Sequence, residues 1–174
     1  MDTQQVILVD TNDKEIGIGE KMSVHRQGIL HRAFSIFVLN EKNEMLLQQR
    51  ALTKYHSPGL WSNTCCSHPM PNETLEQAVT RRLHEEMGFS CPIQKVFHFI
   101  YKEHLDNDLI EHEFDHVFLG IHRSADIHIN QQEVANYGYF SIDAINTWLQ
   151  KTPDEFTCWF RIAFPKICGY INNS

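Results

Sequence analysis

Asn72-Glu-Thr-Leu-Glu-Gln-Ala-Val-Thr-Arg-Arg-Leu-His-Glu-Glu-Met-Gly-Phe89 has the marks of a helix bounded at both ends. Asn72 is placed as an N-cap, Glu73 and Glu76 favour the positive end of the dipole, and Gly88 supplies a C′ stop. A helix is therefore expected over 73–87. At 100° per residue Leu75, Ala78, Val79, Leu83 and Met87 make one apolar stripe, and Arg82 and Glu86 fall inside it. A charge turned toward a core must be paired or must bind something. Two readings follow: an Arg82–Glu86 ion pair at i,i+4, or a helix that lends a carboxylate and a guanidinium to a metal and a phosphate.

Outward from this helix, the chain alternates short strands with turns. Val6 to Val9 reads as a strand before an Asn12-Asp13 turn, and His31 to Leu39 and Met45 to Arg50 flank the turn Asn40-Glu41-Lys42-Asn43. Ser57-Pro58-Gly59 and His68-Pro69-Met70-Pro71 punctuate a loop-rich stretch. Gln94 to His104 and Glu111 to Leu119 form an expected hairpin across Asp106-Asn107-Asp108. Helices are expected from Ser141 to Gln150 and from Pro153 to about Tyr170, with Pro165 breaking or bending the last. The class is α+β, an α/β/α sandwich with a mixed sheet between helices.

Composition narrows the function classes. With 174 residues, 42% of them apolar, and no repeats or linker tracts, one domain over 1–174 is expected. A net charge of −7 argues against a broad nucleic-acid footprint. The longest apolar stretches fall far short of the roughly 20 residues that span a bilayer. No secretory signal is visible at Met1-Asp2-Thr3-Gln4-Gln5. Five cysteines, two of them adjacent, suit reduced thiols better than a disulfide framework. A cytoplasmic protein that binds neither nucleic acid nor membrane is expected.

Three further segments depart from plain structural patterning. Strand alternation puts Glu111, Glu113 and Asp115 on one face, which reads as a solvated acidic face or as hard oxygen donors for a cation. In an extended Thr64-Cys65-Cys66-Ser67-His68-Pro69, Cys66 and His68 share a side, so the thiol is either a buried small side chain or a nucleophile or base. His25 and His31 precede the small residues Ala33 and Ser35, which leave room for a site; two unrelated histidines are the plainer reading.

From Ser67 to Phe89 the chain resembles the Nudix box, G-x5-E-x7-R-E-U-x-E-E-x-G-U. Glu73, Arg81, Leu83, Glu85, Glu86, Gly88 and Phe89 match. Ser67 stands in place of the opening Gly, and Arg82 replaces the first Glu of the core, a loss that weakens the metal cluster of a hydrolase. Cys66-Ser67-His68-Pro69, Arg50-Ala51-Leu52-Thr53-Lys54, Trp61-Ser62-Asn63-Thr64, Glu111-His112-Glu113 and Trp159 resemble the type I isopentenyl-diphosphate isomerases, a branch of the Nudix superfamily. The usual C-G-H-P is C-S-H-P here, which is tolerable provided that backbone does not need φ > 0.

That resemblance implies a Nudix fold and interconversion of isopentenyl and dimethylallyl diphosphate through a carbocation-like species. It implies that His25, His31, His68, Glu111 and Glu113 hold Mn²⁺ or Zn²⁺, with Cys66 also among the metal residues, and that Glu86 helps hold Mg²⁺ on the diphosphate. Lys21, Arg50, Lys54 and Arg82 would surround the diphosphate. Glu113, assisted by Tyr101, would handle the proton on one face of the substrate and Cys66 on the other. Trp159 would face the cation, and Trp61 with the last helix would exclude water. The partner implied is a small allylic or homoallylic diphosphate, acted on by a monomer or weak homodimer. The rival readings are a Nudix hydrolase of a nucleoside diphosphate derivative and a non-catalytic diphosphate-binding module.

Overall fold

The computed structural model describes residues 4–174. In chain order the elements are β1 (Gln5–Val9), β2 (Glu15–Glu20), α1 (Lys21–Gln27), β3 (His31–Leu39), β4 (Met45–Arg50), β5 (Trp61–Ser62), β6 (Cys65–Ser67) and α2 (Leu75–Met87). After these come β7 (Ile93–His104), β8 (Ile110–Ile121), β9 (Val134–Phe140), α3 (Ile142–Lys151) and α4 (Cys158–Asn172). The strands form one mixed sheet with β3 at its heart. β3 runs antiparallel to β1, β4 and β6 and parallel to β8, from the pair His31–Glu113 to the pair Leu39–Ile121.

Nearly every residue of β3 is buried, as a strand covered on both faces must be. Phe34, Ile36 and Val38 pack with Ala78, Val79, Leu83 and Met87 of α2. Phe37 and Leu39, on the opposite face, pack with Phe160, Ala163, Phe164 and Ile167 of α4. The expected α+β sandwich, a mixed sheet between helices, is therefore the observed architecture.

The decisive helix starts later than expected. Thr74, not Asn72, is its N-cap: Thr74 Oγ1 accepts from Gln77 N at 3.2 Å, and Gln77 Oε1 accepts from Thr74 N at 3.0 Å. This reciprocal capping box satisfies two otherwise orphaned donors and contributes about 1 kcal/mol. Asn72 instead turns the chain with φ 66°, and Glu73 accepts from Met70 N and from Arg81, so it belongs to the approach and not to the helix. Gly88 ends the helix as expected, with φ 73° and its N–H on His84 O; a Cβ there would collide with the His128 carbonyl oxygen.

The C-terminal helix is also corrected. Pro153–Glu155 is a separate 3₁₀ turn, Phe156 is extended, and α4 begins at Cys158 with Thr157 as N-cap. Pro165 lies inside α4 without ending it, and Ser141 is the N-cap of α3. β2, α1, β5, β6 and β9 lie outside the elements expected from sequence, β5 and β6 being only two and three residues long.

Candidate active site

Strand register assembles the site. On the face of β3 that carries His31, Ala33 and Ser35, the parallel partner β8 brings Glu113 beside His31 and Asp115 beside Ala33. β6 pairs Cys66 with Ser35, and β7 pairs Tyr101 with Glu113. Cys65, one residue away, turns to the other face and is sealed in the apolar core against α2. These strands converge on a cavity of about 300 Å³, at the lower end of small-molecule sites.

Most residues expected at a site do meet here. Cys66, His68, Tyr101, Glu111, Glu113 and Trp159 line the cavity, and so do Lys21, Arg50, Lys54, Arg82 and Glu86. His25 and His31 are fully buried beneath it.

Three imidazoles and a carboxylate form one cluster. The candidate ligand atoms of His25, His31, His68 and Glu113 lie within 4.8 Å of one another. The ring orientation has a clear cause. His25 Nδ1 lies 2.7 Å from Lys21 O and His31 Nδ1 2.9 Å from Ile29 O, so each Nδ1 carries the hydrogen and each Nε2 presents a lone pair inward. His31 Nε2 and His68 Nε2 are 3.2 Å apart, and Glu113 Oε1 is 2.9 Å from His68 Nε2. His25 Nε2 is buried with no hydrogen-bond partner. A divalent cation fits this donor set: nitrogen lone pairs aimed at one another, an orphaned imidazole nitrogen and an anionic oxygen.

α1 delivers His25 because Glu20 caps it, accepting from Met22 N and Ser23 N, and Gly28 closes it with φ 64°. Glu111, Glu86 and Cys66 stand outside the four-residue cluster. Glu111 is 4.0 Å from His25 Nε2 and is engaged by Tyr101, Glu86 is engaged by Arg82 and Gln48, and the Cys66 thiol is engaged by Asn63.

Electrostatics suits metal ligation and proton handling. Burial lowers the pKa of His25, and it takes His68 down to about 3 despite the opposing Glu113 charge, so both rings are neutral. Burial would raise Glu113, but the His31 and His68 imidazoles beside it outweigh burial and hold its carboxyl well below the usual range. Glu111 goes the other way, raised well above that range by burial and by the Glu113 charge. Tyr101 Oη lies 2.5 Å from Glu111 Oε2 and 2.8 Å from Glu113 Oε2. One phenolic hydrogen cannot serve both carboxylates at once, so the trio shares its protons. Burial and then Asp115 raise the Cys66 thiol, which therefore rests protonated.

The cationic side is balanced by carboxylates. Arg82 Nη2 donates to Glu86 Oε1 at 2.5 Å, and Lys54 Nζ is 2.5 Å from Glu133. The Arg82–Glu86 ion pair is thus formed, and both side chains also line the cavity. Arg50 lies 5.3 Å over the Trp159 ring, and Lys21 lies 5.3 Å over Tyr55.

Sequence reasoning missed His56, Tyr55 and Glu133. They sit in loops without periodicity, and only the general enrichment in histidine hinted at His56. His56 Nε2 lies 3.7 Å from Glu111 Oε1, its ring meets Trp159 edge-on, and burial takes it down to about 2. Trp61 is not a wall of the cavity: its ring packs against Phe140 and Trp148 in the core beside α3. Ser67 is not among the described residues with positive φ, so this backbone accepts a serine where the motif has glycine. All five cysteines are unpaired, as expected. Among the described residues no helix is long and apolar enough to cross a membrane.

Such a sheet, with a capped acidic helix beside a buried donor cluster, defines a NUDIX-type domain, and residues 29–160 match the NUDIX domain family. The fold alone is shared with the crystal structure of a MutT protein from Methanosarcina mazei Go1, with a TM-score of 0.65 at 21% identity over 79% of this chain and 91% of that one. The chain is 49% identical over 171 residues to the isopentenyl-diphosphate Delta-isomerase of Pectobacterium atrosepticum, covering 98% of this chain and 94% of that protein. To the enzyme of that name from Burkholderia multivorans it is 50% identical over 158 residues, covering 91% and 89%. Within the NUDIX superfamily, the chain belongs to the isopentenyl-diphosphate Delta-isomerase family.

Proposed function

We propose that this chain interconverts isopentenyl diphosphate and dimethylallyl diphosphate, moving a carbon–carbon double bond by one position. The observation that carries this reading is the placement of Cys66 and the Tyr101–Glu113 pair in one cavity with Trp159, between a buried donor cluster and a cationic rim. A binding module needs no such acid and base.

An unactivated alkene is a weak base, so the reaction needs a well-placed acid. A proton adds to the terminal methylene carbon, leaving a tertiary cation, and a proton lost from the carbon next to the diphosphate-bearing methylene restores neutrality in the product. Glu113 with Tyr101 handles the proton on one side of the substrate, and Cys66 handles it on the other. Trp159 offers an indole face to the cationic carbon, worth about 2 kcal/mol when desolvated. Lys21, Arg50, Lys54 and Arg82 hold the diphosphate and fix the alkene against these groups. When bound, Mn²⁺ or Zn²⁺ on His25, His31, His68 and Glu113, with Glu111 alongside, would acidify the carboxyl group, and Mg²⁺ near Glu86 would neutralise the diphosphate. The chain is read as one domain over 1–174, cytoplasmic, and a monomer or weak homodimer.

The test is incubation with isopentenyl diphosphate, Mg²⁺ and D₂O, with products followed by NMR. Dimethylallyl diphosphate carrying deuterium is expected. Unchanged substrate, in protein confirmed to be folded, reduced and metal-loaded, would overturn the reading, as would release of phosphate.

A further inference from the structure

We infer that Asn63 is a positioning residue that ties the Cys66 thiol to the Trp159 indole through Ser62. Asn63 is fully buried, and its orientation is fixed: its Nδ2 donates to the carbonyl oxygens of Ile36 and Cys65, both at 3.0 Å. With both amide hydrogens spent on the backbone, Oδ1 must point the other way, where it accepts from Cys66 Sγ at 3.1 Å and from Ser62 Oγ at 2.9 Å.

The hydrogen inventory then runs in one direction only. Ser62 has a single hydroxyl hydrogen, and Asn63 Oδ1 takes it. Ser62 Oγ is therefore an acceptor toward everything else, and Trp159 Nε1, which can only donate, lies 2.9 Å away. Thr157 Oγ1, at 3.1 Å from Ser62 Oγ, must donate to it as well, so the N-cap of α4 joins the same chain. On the other side of the thiol, Ser35 Oγ is 3.4 Å from Cys66 Sγ, but its own hydrogen goes to Asp115 Oδ2 at 2.7 Å. Asn63 thus sets where the thiol points, and Ser62 sets the indole relative to it. The links from Asn63 to the backbone, to Ser62 and on to Trp159 are buried and the one to the thiol is part-buried, so water does not replace a lost partner cheaply.

This inference rests on the proposed reading of Cys66 and Trp159 as flanking the substrate, but two of its readouts need no turnover. In Asn63→Ala, the indole ¹H–¹⁵N resonance of Trp159 is expected to move while those of Trp61 and Trp148 stay. The rate of Cys66 alkylation by iodoacetamide, mapped by peptide mass spectrometry, is expected to change at least fivefold. The kcat for isomerisation is expected to fall on the order of 10²-fold, the cost of a misplaced reacting group, with KM within threefold. Ser62→Ala keeps the Asn63 clamp and serves if Asn63→Ala does not fold; it should shift the Trp159 resonance and alter Cys66 alkylation, although Ser62 does not touch the thiol. A folded Asn63→Ala or Ser62→Ala protein with unchanged Trp159 resonance and unchanged alkylation would overturn the linkage. Moved resonance and alkylation in a protein with no isomerase turnover would leave the linkage standing and sink the proposed function instead.

Discussion

Arg82 Nη2 donates to Glu86 Oε1 at 2.5 Å while both side chains line the cavity, so the pair neutralises a charge the helix would otherwise bury and keeps it at the cavity wall. Gln48 Nε2 also donates to Glu86 Oε2, at 2.9 Å. Glu86→Gln keeps an oxygen for one of these contacts and removes the charge. The Mg²⁺ concentration needed for half-maximal isomerase activity should rise about 10-fold or more, equivalent to about 1.4 kcal/mol. An unchanged Mg²⁺ titration would remove Glu86 from the diphosphate site.

Tyr101 is the only hydroxyl found bridging Glu111 and Glu113 among the described residues. Tyr101→Phe deletes one oxygen and leaves the ring packed beside Phe99. Loss of a proton relay should lower kcat about 10²-fold or more, with little change in KM. Cys66→Ala and Glu113→Gln should each cost at least as much. A Tyr101→Phe enzyme with wild-type kcat and raised KM would make the tyrosine a binding group only.

Imidazole nitrogens turned toward one another, one of them orphaned, make a donor set that a cation completes. Chelator-treated protein should therefore melt lower, and Mn²⁺ or Zn²⁺ should restore it. At 100 times Kd the gain is about 2.7 kcal/mol, and a chain of this size gains roughly 2–4 °C per kcal/mol. His68→Ala should abolish most of that shift and the bound metal measured by elemental analysis. A metal-induced shift of equal size in His68→Ala would place the ion elsewhere.

Residues whose role follows from local pattern were legible in the sequence, and those whose role depends on long-range register were not. The stripe of α2 and its glycine stop gave the helix, and the turn at Asn40–Asn43 bounded β3. The face shared by Glu111, Glu113 and Asp115 followed from strand period, but that it faces inward depends on the parallel pairing of β8 with β3, which no local pattern encodes. His56 and Glu133 enter the site from loops 51–60 and 122–133, where only tertiary contacts set position. The N-cap error has the same origin: Asn72 and Thr74 are both good caps, and Arg81 reaching back to Glu73 over the approach to the helix favours Thr74. Resemblance to a family supplied the proposed ligand set that periodicity alone left open.

His116 offers a test of electrostatics away from the proposed metal ligands. It is buried, with Nε2 2.9 Å from Asp13 Oδ2, an aspartate that also accepts from Arg32 at 2.8 Å. Burial, then the nearby Lys95, take its pKa down to about 4 in spite of Asp13. In the unfolded chain the imidazole titrates near 6.5. Between those values the unfolded state binds a proton that the folded state refuses, so stability falls as pH falls. The contribution is fully present above pH 6.5 and is lost by about pH 4, roughly 3 kcal/mol at most. Urea unfolding of wild-type and His116→Gln at pH 6.5, 5.5 and 4.5 isolates it, because the other histidines titrate alike in both proteins. Glutamine leaves a polar side chain beside Asp13 and does not ionise, so the stability gap between the two proteins should shift in the variant's favour by about 2 kcal/mol over that range. Parallel pH profiles would show that His116 takes up its proton in the fold without penalty.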